Sequence, residues 1–259
     1  MTVSVCVINM DVDVDRLDHM REQLARLDLS WKRFPAIVGC NLPANLRAVF
    51  PSVNEGPLTA GEIGCYASHL QVLEMIAAAE EGDVFCVMED DLKLSKELAD
   101  LFKNIKKLPS DWEIIRLSNS PKSGWLKRVN LNGVGDVVSY WRIPTLAGAY
   151  LINRSGARKI LAKPGKRLRA IDDDLRRDWQ FGIKTYGILP PPVATASFKS
   201  SIDSIAARPQ ETKTRRFRST YRESVVGIHA RLNEFGISGA ISCIAQGLSL
   251  RLKRKLVRS

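Results

Sequence analysis

"VFCVMEDDLKL", residues 84–94, is the stretch from which the rest of the chain is read. Val84-Phe85-Cys86-Val87-Met88 is a short, uninterrupted apolar run, the pattern of a buried strand. It ends abruptly in Glu89, Asp90 and Asp91. Adjacent carboxylates repel one another, and the end of a buried strand is a poor place to ionise them. Alternation along a strand sends residues i and i+2 to the same side, so Glu89 and Asp91 are expected to converge while Asp90 points away. Two carboxylates placed in this way suit a hard divalent cation that keeps water and substrate phosphates in its remaining positions. Such a cation relieves the repulsion and neutralises a leaving diphosphate. The plainer alternative is a solvated acidic turn or helix cap ahead of "LKLSKELADLF".

Strands and helices alternate outward from that point. "VSVCVIN" (3–9) is β-branched and reads as a first core strand. Leu17, Met20, Leu24 and Leu27 follow at helical spacing, and "WKRFPAI" reads as a second strand. This opening is the grammar of an α/β sheet. Residues 58–83 carry the clearest helix signature. Thr59 and Glu62 stand at capping-box spacing, Ile63, Tyr66, Leu70, Leu73 and Ile76 share a face, and Gly82 is the stop signal. Beyond the acids, a helix is predicted near 95–107 and a strand at 112–118. A loop or short hairpin is predicted over 119–144. A strand and helix follow in "TLAGAYLINRSGARKILAK", with Asn153 or Ser155 as N-cap. An acidic helix start at "AIDDDL" leads to a strand at 183–189. The carboxylates at 89–91 lie where a strand yields to a loop, the usual ligand-binding edge of such a sheet.

The 259 residues allow one large domain, or one domain with a tail. At 45% apolar and 26% charged the composition is globular, with no uninterrupted apolar run of membrane-spanning length. The N-terminus lacks a basic n-region and is a poor signal peptide. Five dispersed cysteines with no C-x-x-C suggest neither a disulfide framework nor a zinc finger, which fits a reducing cytoplasm. Neither a G-x-x-x-x-G-K-[ST] loop nor a G-x-G-x-x-G after the first strand occurs. The net charge is +11, and residues 213–259, with eleven Lys/Arg against Glu223 and Glu234, carry +9 of it. That segment is expected to meet something anionic. No helix-turn-helix, RNP or zinc pattern supports nucleic acid as the partner.

"AGEIGCYASHLQVLE", then "FCVMEDD", "LAGAYLINRSGARKIL" and "AIDDDL" before "YGILPPPV", resemble glycosyltransferase family 25 in their order. This is the family of bacterial lipopolysaccharide and lipooligosaccharide glycosyltransferases, to which the collagen galactosyltransferases are related. The G-x-x-G-C-x-x-S-H segment followed by E-D-D is the specific part. The resemblance covers roughly residues 3–195 and implies a GT-A-type α/β fold with a mixed, mostly parallel sheet flanked by helices. It implies a UDP-sugar donor, usually UDP-galactose, with Mn²⁺ (or Mg²⁺) at the acids. Glu89, Asp90 and Asp91 match the family's D-x-D-like triad, with Asp91 the direct metal ligand and Glu89 beside it.

The family is inverting, so one carboxylate must take the proton of the attacking acceptor hydroxyl. Asp172 is the first choice and Asp174 the second, although a sugar-binding carboxylate or a helix start explains "DDD" equally well. His69, on the apolar face of its helix, is either a satisfied buried histidine or a donor contact. Arg16 is either a diphosphate partner or a surface arginine among Asp11, Asp13, Asp15 and Asp18. Asn9 ends the first strand within reach of base or ribose. Gly61 and Gly64, costly inside a helix, imply close backbone packing or a nearby ligand. Gly148 and Tyr150 shape the floor.

The expected organisation is a catalytic domain over 1–195 and a basic, partly helical C-terminal extension over 196–259. The expected function is an inverting hexosyl transfer, with galactose first, to a cell-envelope saccharide. The protein would be cytoplasmic and peripheral on the inner membrane face, held there by the basic tail. The competing reading is a non-catalytic peripheral membrane or polyanion-binding protein with a degenerate GT-A fold.

Overall fold

The computed structural model describes residues 2–52, 56–198 and 213–256, with side chains in the last segment given over 225–253. Its centre is an eight-stranded sheet in the order β2-β1-β3-β8-β5-β9-β7-β6. These strands are β1 (Val3–Asn9), β2 (Trp31–Pro35), β3 (Val84–Met88), β5 (Ile114–Arg116), β6 (Trp125–Leu131), β7 (Gly135–Tyr140), β8 (Ala149–Asn153) and β9 (Thr185–Leu189). The pairings of β1 with β2, β1 with β3 and β5 with β9 are parallel. Strands β8 and β7 are antiparallel to both of their neighbours. Six of the eight strands therefore run the same way, and the sheet is mixed and mostly parallel, as expected.

The period of two sorts the strand residues onto two cores. Val5, Val7, Val84, Cys86 and Met88 face one layer, where Met20 and Leu24 of helix α1 (Val14–Arg26) and Leu98 and Leu101 of α4 (Glu97–Lys103) cover them. Cys6, Ile8, Phe85 and Val87 face the other. There helix α3 (Ala60–Ala78) lays down Ile63, Tyr66, Leu70, Leu73 and Ile76, each at most 2% exposed. Burying one such side chain contributes about 1.5–3 kcal/mol, which far exceeds any helix-propensity difference in α3. Ala157 and Ile160 of α5 (Arg154–Leu161) and Ile171 and Leu175 of α6 (Ile171–Leu175) complete that layer.

The Thr59–Glu62 capping box is formed in both directions: Glu62 N donates to Thr59 Oγ1 at 3.2 Å, and Thr59 N donates to Glu62 Oε2 at 2.9 Å. The helix stops at Ala78, four residues before Gly82, because Ala79 already has an extended backbone. Asn153 is the cap of α5, accepting from Gly156 N at 2.9 Å, while Ser155 bonds Glu113 instead. Residues 119–144 contain the β6–β7 hairpin, closed around Gly133 and Gly135 at positive φ. It joins the main sheet through β9 as the far edge.

Gly64 explains its own cost. A Cβ there would lie 2.5 Å from Ile37 O and 2.8 Å from Gly39 N, both rigid backbone. Alanine in mid-helix normally adds about 1 kcal/mol of stability. Overpacking of this kind costs about 1–3 kcal/mol or more, so the clash wins. Gly64→Ala is expected to lower the thermal midpoint by several degrees, and a midpoint at or above wild type would show that residues 36–39 yield freely.

Candidate nucleotide-sugar site

The chain runs from β1 to β2 on one side and later returns to β3 on the other, so the carboxyl ends of β1 and β3 diverge into a crevice. Open α/β sheets bind ligands at such a switch point. A cleft open to solvent lies there. Its walls are the β1 end (Ile8, Asn9), the start of α1 with Arg16, the loop through Gly39, the first turns of α3 (Gly61, Gly64, Cys65, His69) and the acids. Asn9, Arg16, His69, Glu89, Asp90 and Asp91, six candidates spread over 83 positions of sequence, thus line one cavity.

Their roles differ. Asp90 is mostly buried, accepts from Asn9 Nδ2 at 2.8 Å, and pairs with Arg16 Nη1 at 3.0 Å. It ties the β1 end to α1 and presents the Arg16 guanidinium to the cleft. Asn9 also donates to Asp13 O at 2.9 Å and accepts from Arg33 Nε at 2.9 Å, which fixes its amide orientation. The strict alternation expected of the acids stops at Met88, where the strand ends, and all three acids line the cleft. Burial pushes Asp90 up, and Asn9 and Arg16 offset only part of this. Asp91 is pushed up to about 6 by burial, followed by the neighbouring Glu89 carboxylate. For Glu89, burial raises the pKa, but His69, Cys65 and Arg116 outweigh it and hold the carboxyl below its ordinary value.

The acidic loop is braced from below. Strand β4 (Leu92–Leu94) pairs antiparallel with β10 (Val193–Thr195), and Ala196 N donates to Asp91 O at 2.7 Å. Gln23, buried in α1, donates to Leu92 O at 2.7 Å and accepts from Leu94 N at 2.8 Å. Glu89 N donates to Gly148 O at 2.8 Å, and a Cβ on Gly148 would press on Leu92 Cδ2 at 3.0 Å. Gly148 therefore packs behind the acidic loop, outside the lining of the cleft, and Tyr150 beside it accepts or donates at His69 Nδ1 over 2.9 Å.

Asp172 and Asp174 sit in one short helix, α6, in opposite surroundings. Asp174 is 1% exposed and bonded to Tyr66 OH at 2.9 Å and Lys163 Nζ at 2.9 Å, with Arg169 at 3.6 Å. Asp172 is half-buried, accepts from Asp173 N at 2.8 Å, and approaches Leu146 N at 3.4 Å. The Leu146 carbonyl in turn accepts from Arg116. Leu146 holds φ 66° with its side chain 47% exposed, a costly conformation for a branched residue. Asp172 is close enough to Cys65 and Arg116 for its charge to raise both pKa values, so it lies toward the acidic cleft.

Sequence reasoning overlooked Arg33, Cys65 and Arg116. Arg116 ends an apolar strand, which was its signal: it is 1% exposed, and its Nε and Nη1 have no hydrogen bond among the described residues. Burial pulls its pKa down, while Tyr140, Tyr150, Asp172 and Glu89 oppose that.

The profile of Glycosyltransferase family 25 (LPS biosynthesis protein) matches residues 3–132, half of the chain. The chain belongs to this family. Procollagen galactosyltransferase 1-B of Xenopus laevis is 29% identical over 189 residues, 66% of this chain and 30% of the relative. Human procollagen galactosyltransferase 2 is 28% identical over 189 residues, 66% of this chain and 29% of the relative. The human inactive glycosyltransferase 25 family member 3 is 28% identical over 189 residues, 66% of this chain and 31% of the relative. The match thus spans about 30% of the length of these family 25 relatives. Among solved structures, an active-site mutant of LgtC aligns over 76% of this chain and 88% of its own, at 11% identity and a TM-score of 0.44.

Proposed function

We propose that this family 25 chain is a GT-A-type, metal-dependent inverting hexosyltransferase, moving galactose from UDP-galactose to a cell-envelope saccharide such as lipopolysaccharide. The observation that carries the reading is the convergence of Glu89, Asp90 and Asp91 with Asn9 and Arg16 on one cleft at the β1/β3 switch point. The oxygen-rich acids fit Mn²⁺ or Mg²⁺, with Asp91 and Glu89 as its holders. Bound there, the cation would neutralise the leaving diphosphate. Arg16, held by Asp90, faces the same phosphates, and Asn9 faces the nucleoside. Asp172 takes the proton of the acceptor hydroxyl as that oxygen bonds the anomeric carbon and the bond to UDP breaks. Asp174, committed to Lys163 and Tyr66, holds α6 in place. UDP release by the purified protein, measured over UDP-galactose, UDP-glucose and UDP-N-acetylglucosamine with Mn²⁺ or EDTA, tests the reading. Metal-dependent release from one donor supports it, and UDP binding that is indifferent to EDTA refutes the metal role.

The second reading, a non-catalytic membrane-binding protein with a degenerate GT-A site, draws on the relatives named inactive. Both readings share a membrane surface. Helix α7 (Lys213–Leu256) bends at Gly236, φ 67°. One face docks on the body through Arg231–Asp178 at 2.6 Å, Lys184–Glu234 at 3.0 Å and Gln246 Oε1 accepting from Trp125 N at 2.7 Å. The other exposes Ile237, Ile241, Ile244, Leu248 and Leu252 at helical spacing.

By length and composition Val225–Lys253 is also able to cross a bilayer. A helix already docked along one face suits lying in an interface instead. The basic residues 251, 253–255 and 258 select an anionic one, at about 1 kcal/mol each. Replacing Ile241 and Ile244 together with glutamate is expected to weaken binding to phosphatidylglycerol vesicles at least ~10-fold. Unchanged sedimentation with vesicles would remove the membrane from both readings.

A further inference from the structure

The cleft holds two donors that the hard-cation chemistry does not use, Cys65 and His69, beside one that it would share, Glu89. Cys65 and His69 stand four residues apart on α3, one turn above the other on the same face. Glu89 meets both from the end of β3: its Oε1 lies 3.8 Å from Cys65 Sγ and 3.7 Å from His69 Nε2. The three donor atoms all lie within 4.8 Å of one another. Zinc bonds of about 2.0–2.3 Å in a tetrahedron place sulfur and oxygen donors roughly 3.5–3.7 Å apart and nitrogen and oxygen donors roughly 3.3–3.5 Å apart, so both edges to Glu89 need to shorten by only a few tenths of an ångström.

His69 supplies the independent observation. It is 1% exposed, and its Nδ1 is occupied by Tyr150 OH at 2.9 Å. Its Nε2, aimed at Glu89, has no hydrogen bond among the described residues. A buried ring nitrogen without a partner bears the full desolvation penalty of that group, which a bound cation would remove. With a cation on Nε2, the proton would sit on Nδ1 and be shared with the tyrosine, the arrangement by which an outer hydrogen bond orients a metal-bound imidazole. A thiolate, an imidazole and a carboxylate together favour zinc and discriminate against manganese and magnesium. All three residues line the cleft, which leaves the fourth coordination position open to it.

We propose that Cys65, His69 and Glu89 form a three-ligand site for a thiophilic divalent cation, zinc above all, on the wall of the cleft and distinct from the hard-cation position at Asp91. Binding at this site does not depend on the enzymatic reading. Its consequence does: zinc holding Glu89 takes a ligand from the cation at Asp91 and inhibits donor turnover.

Cobalt(II), titrated into the full nucleotide-free chain, is the probe. One equivalent is expected to raise a near-ultraviolet thiolate-to-cobalt charge-transfer band, which zinc then abolishes. Cys65→Ser, nearly isosteric, should melt as wild type does and lack the band. His69→Ala should weaken cobalt binding at least ~10-fold, since even outer-shell changes cost 10–100-fold. Asp91→Ala should keep the band. No band in the wild-type protein, a band that survives Cys65→Ser, or a band lost with Asp91 would each overturn the proposal. In the UDP-release assay with Mn²⁺, added zinc is expected to inhibit wild type and to inhibit Cys65→Ser at least ~10-fold less potently. Absence of any metal-dependent UDP release would count against the transferase and leave the cobalt result standing.

Discussion

Asp91→Ala is expected to lower Mn²⁺-dependent UDP binding at least ~10-fold, toward the level wild type shows in EDTA. Loss of an outer-shell partner already costs 10–100-fold in metal affinity, and loss of a ligand costs no less. The fold should survive, because Asp91 is only half-buried and its charge is disfavoured there: burial and Glu89 already push its pKa up to about 6. Removing that carboxylate relieves a repulsion, so the cation-free variant should melt no lower than wild type. Isothermal titration with UDP, with and without Mn²⁺, reads the first effect, and a thermal scan reads the second. Persistence of metal-dependent UDP binding in this variant would place the cation elsewhere.

Asp172→Asn separates chemistry from binding. A positioned general base contributes typically 10²–10⁴-fold, so transfer should fall by about that factor. UDP affinity should stay within about twofold, since Asp172 is outside the lining of the β1/β3 cleft, and the asparagine oxygen can still accept from Asp173 N while only the long 3.4 Å contact to Leu146 N is given up. Asp174→Asn should do the reverse. It leaves Lys163 and Arg169 facing a neutral partner at a buried position, a loss of about 3 kcal/mol, and any fall in rate should follow the fall in stability. Equal loss of transfer in two equally stable variants would make the assignment of the base wrong.

The hairpin at 125–140 shows where a linear reading thins. Its outer strand WLKRVNL is half-exposed with an irregular register between Lys127 and Val129, so the alternation that marks a half-buried strand is broken in sequence as well. It belongs to the sheet because β7 finds β9, about fifty residues further on. The first helix and α3 needed no such partner to be recognised, since their apolar faces repeat within a few residues.

By itself the sequence determined the alternation of strands and helices, the two-sided burial of β1 and β3, the capping box of α3, and acids at a strand's carboxyl end. All of these are written in local periodicity and in the chemistry of neighbours. Only the tertiary structure decided which partners each charge meets. Asp90 is a brace because Asn9 and Arg16 arrive from the first strand and helix. Asp174 is buried against Tyr66 and Lys163 while Asp172 stays more accessible, although two positions separate them, because Tyr66 reaches the former from 108 residues away. Cys65 and His69 acquire Glu89 by the same kind of encounter. The field at a carboxylate falls off over a few ångströms of space, whereas the chain that supplies its partners is ordered only along its own length.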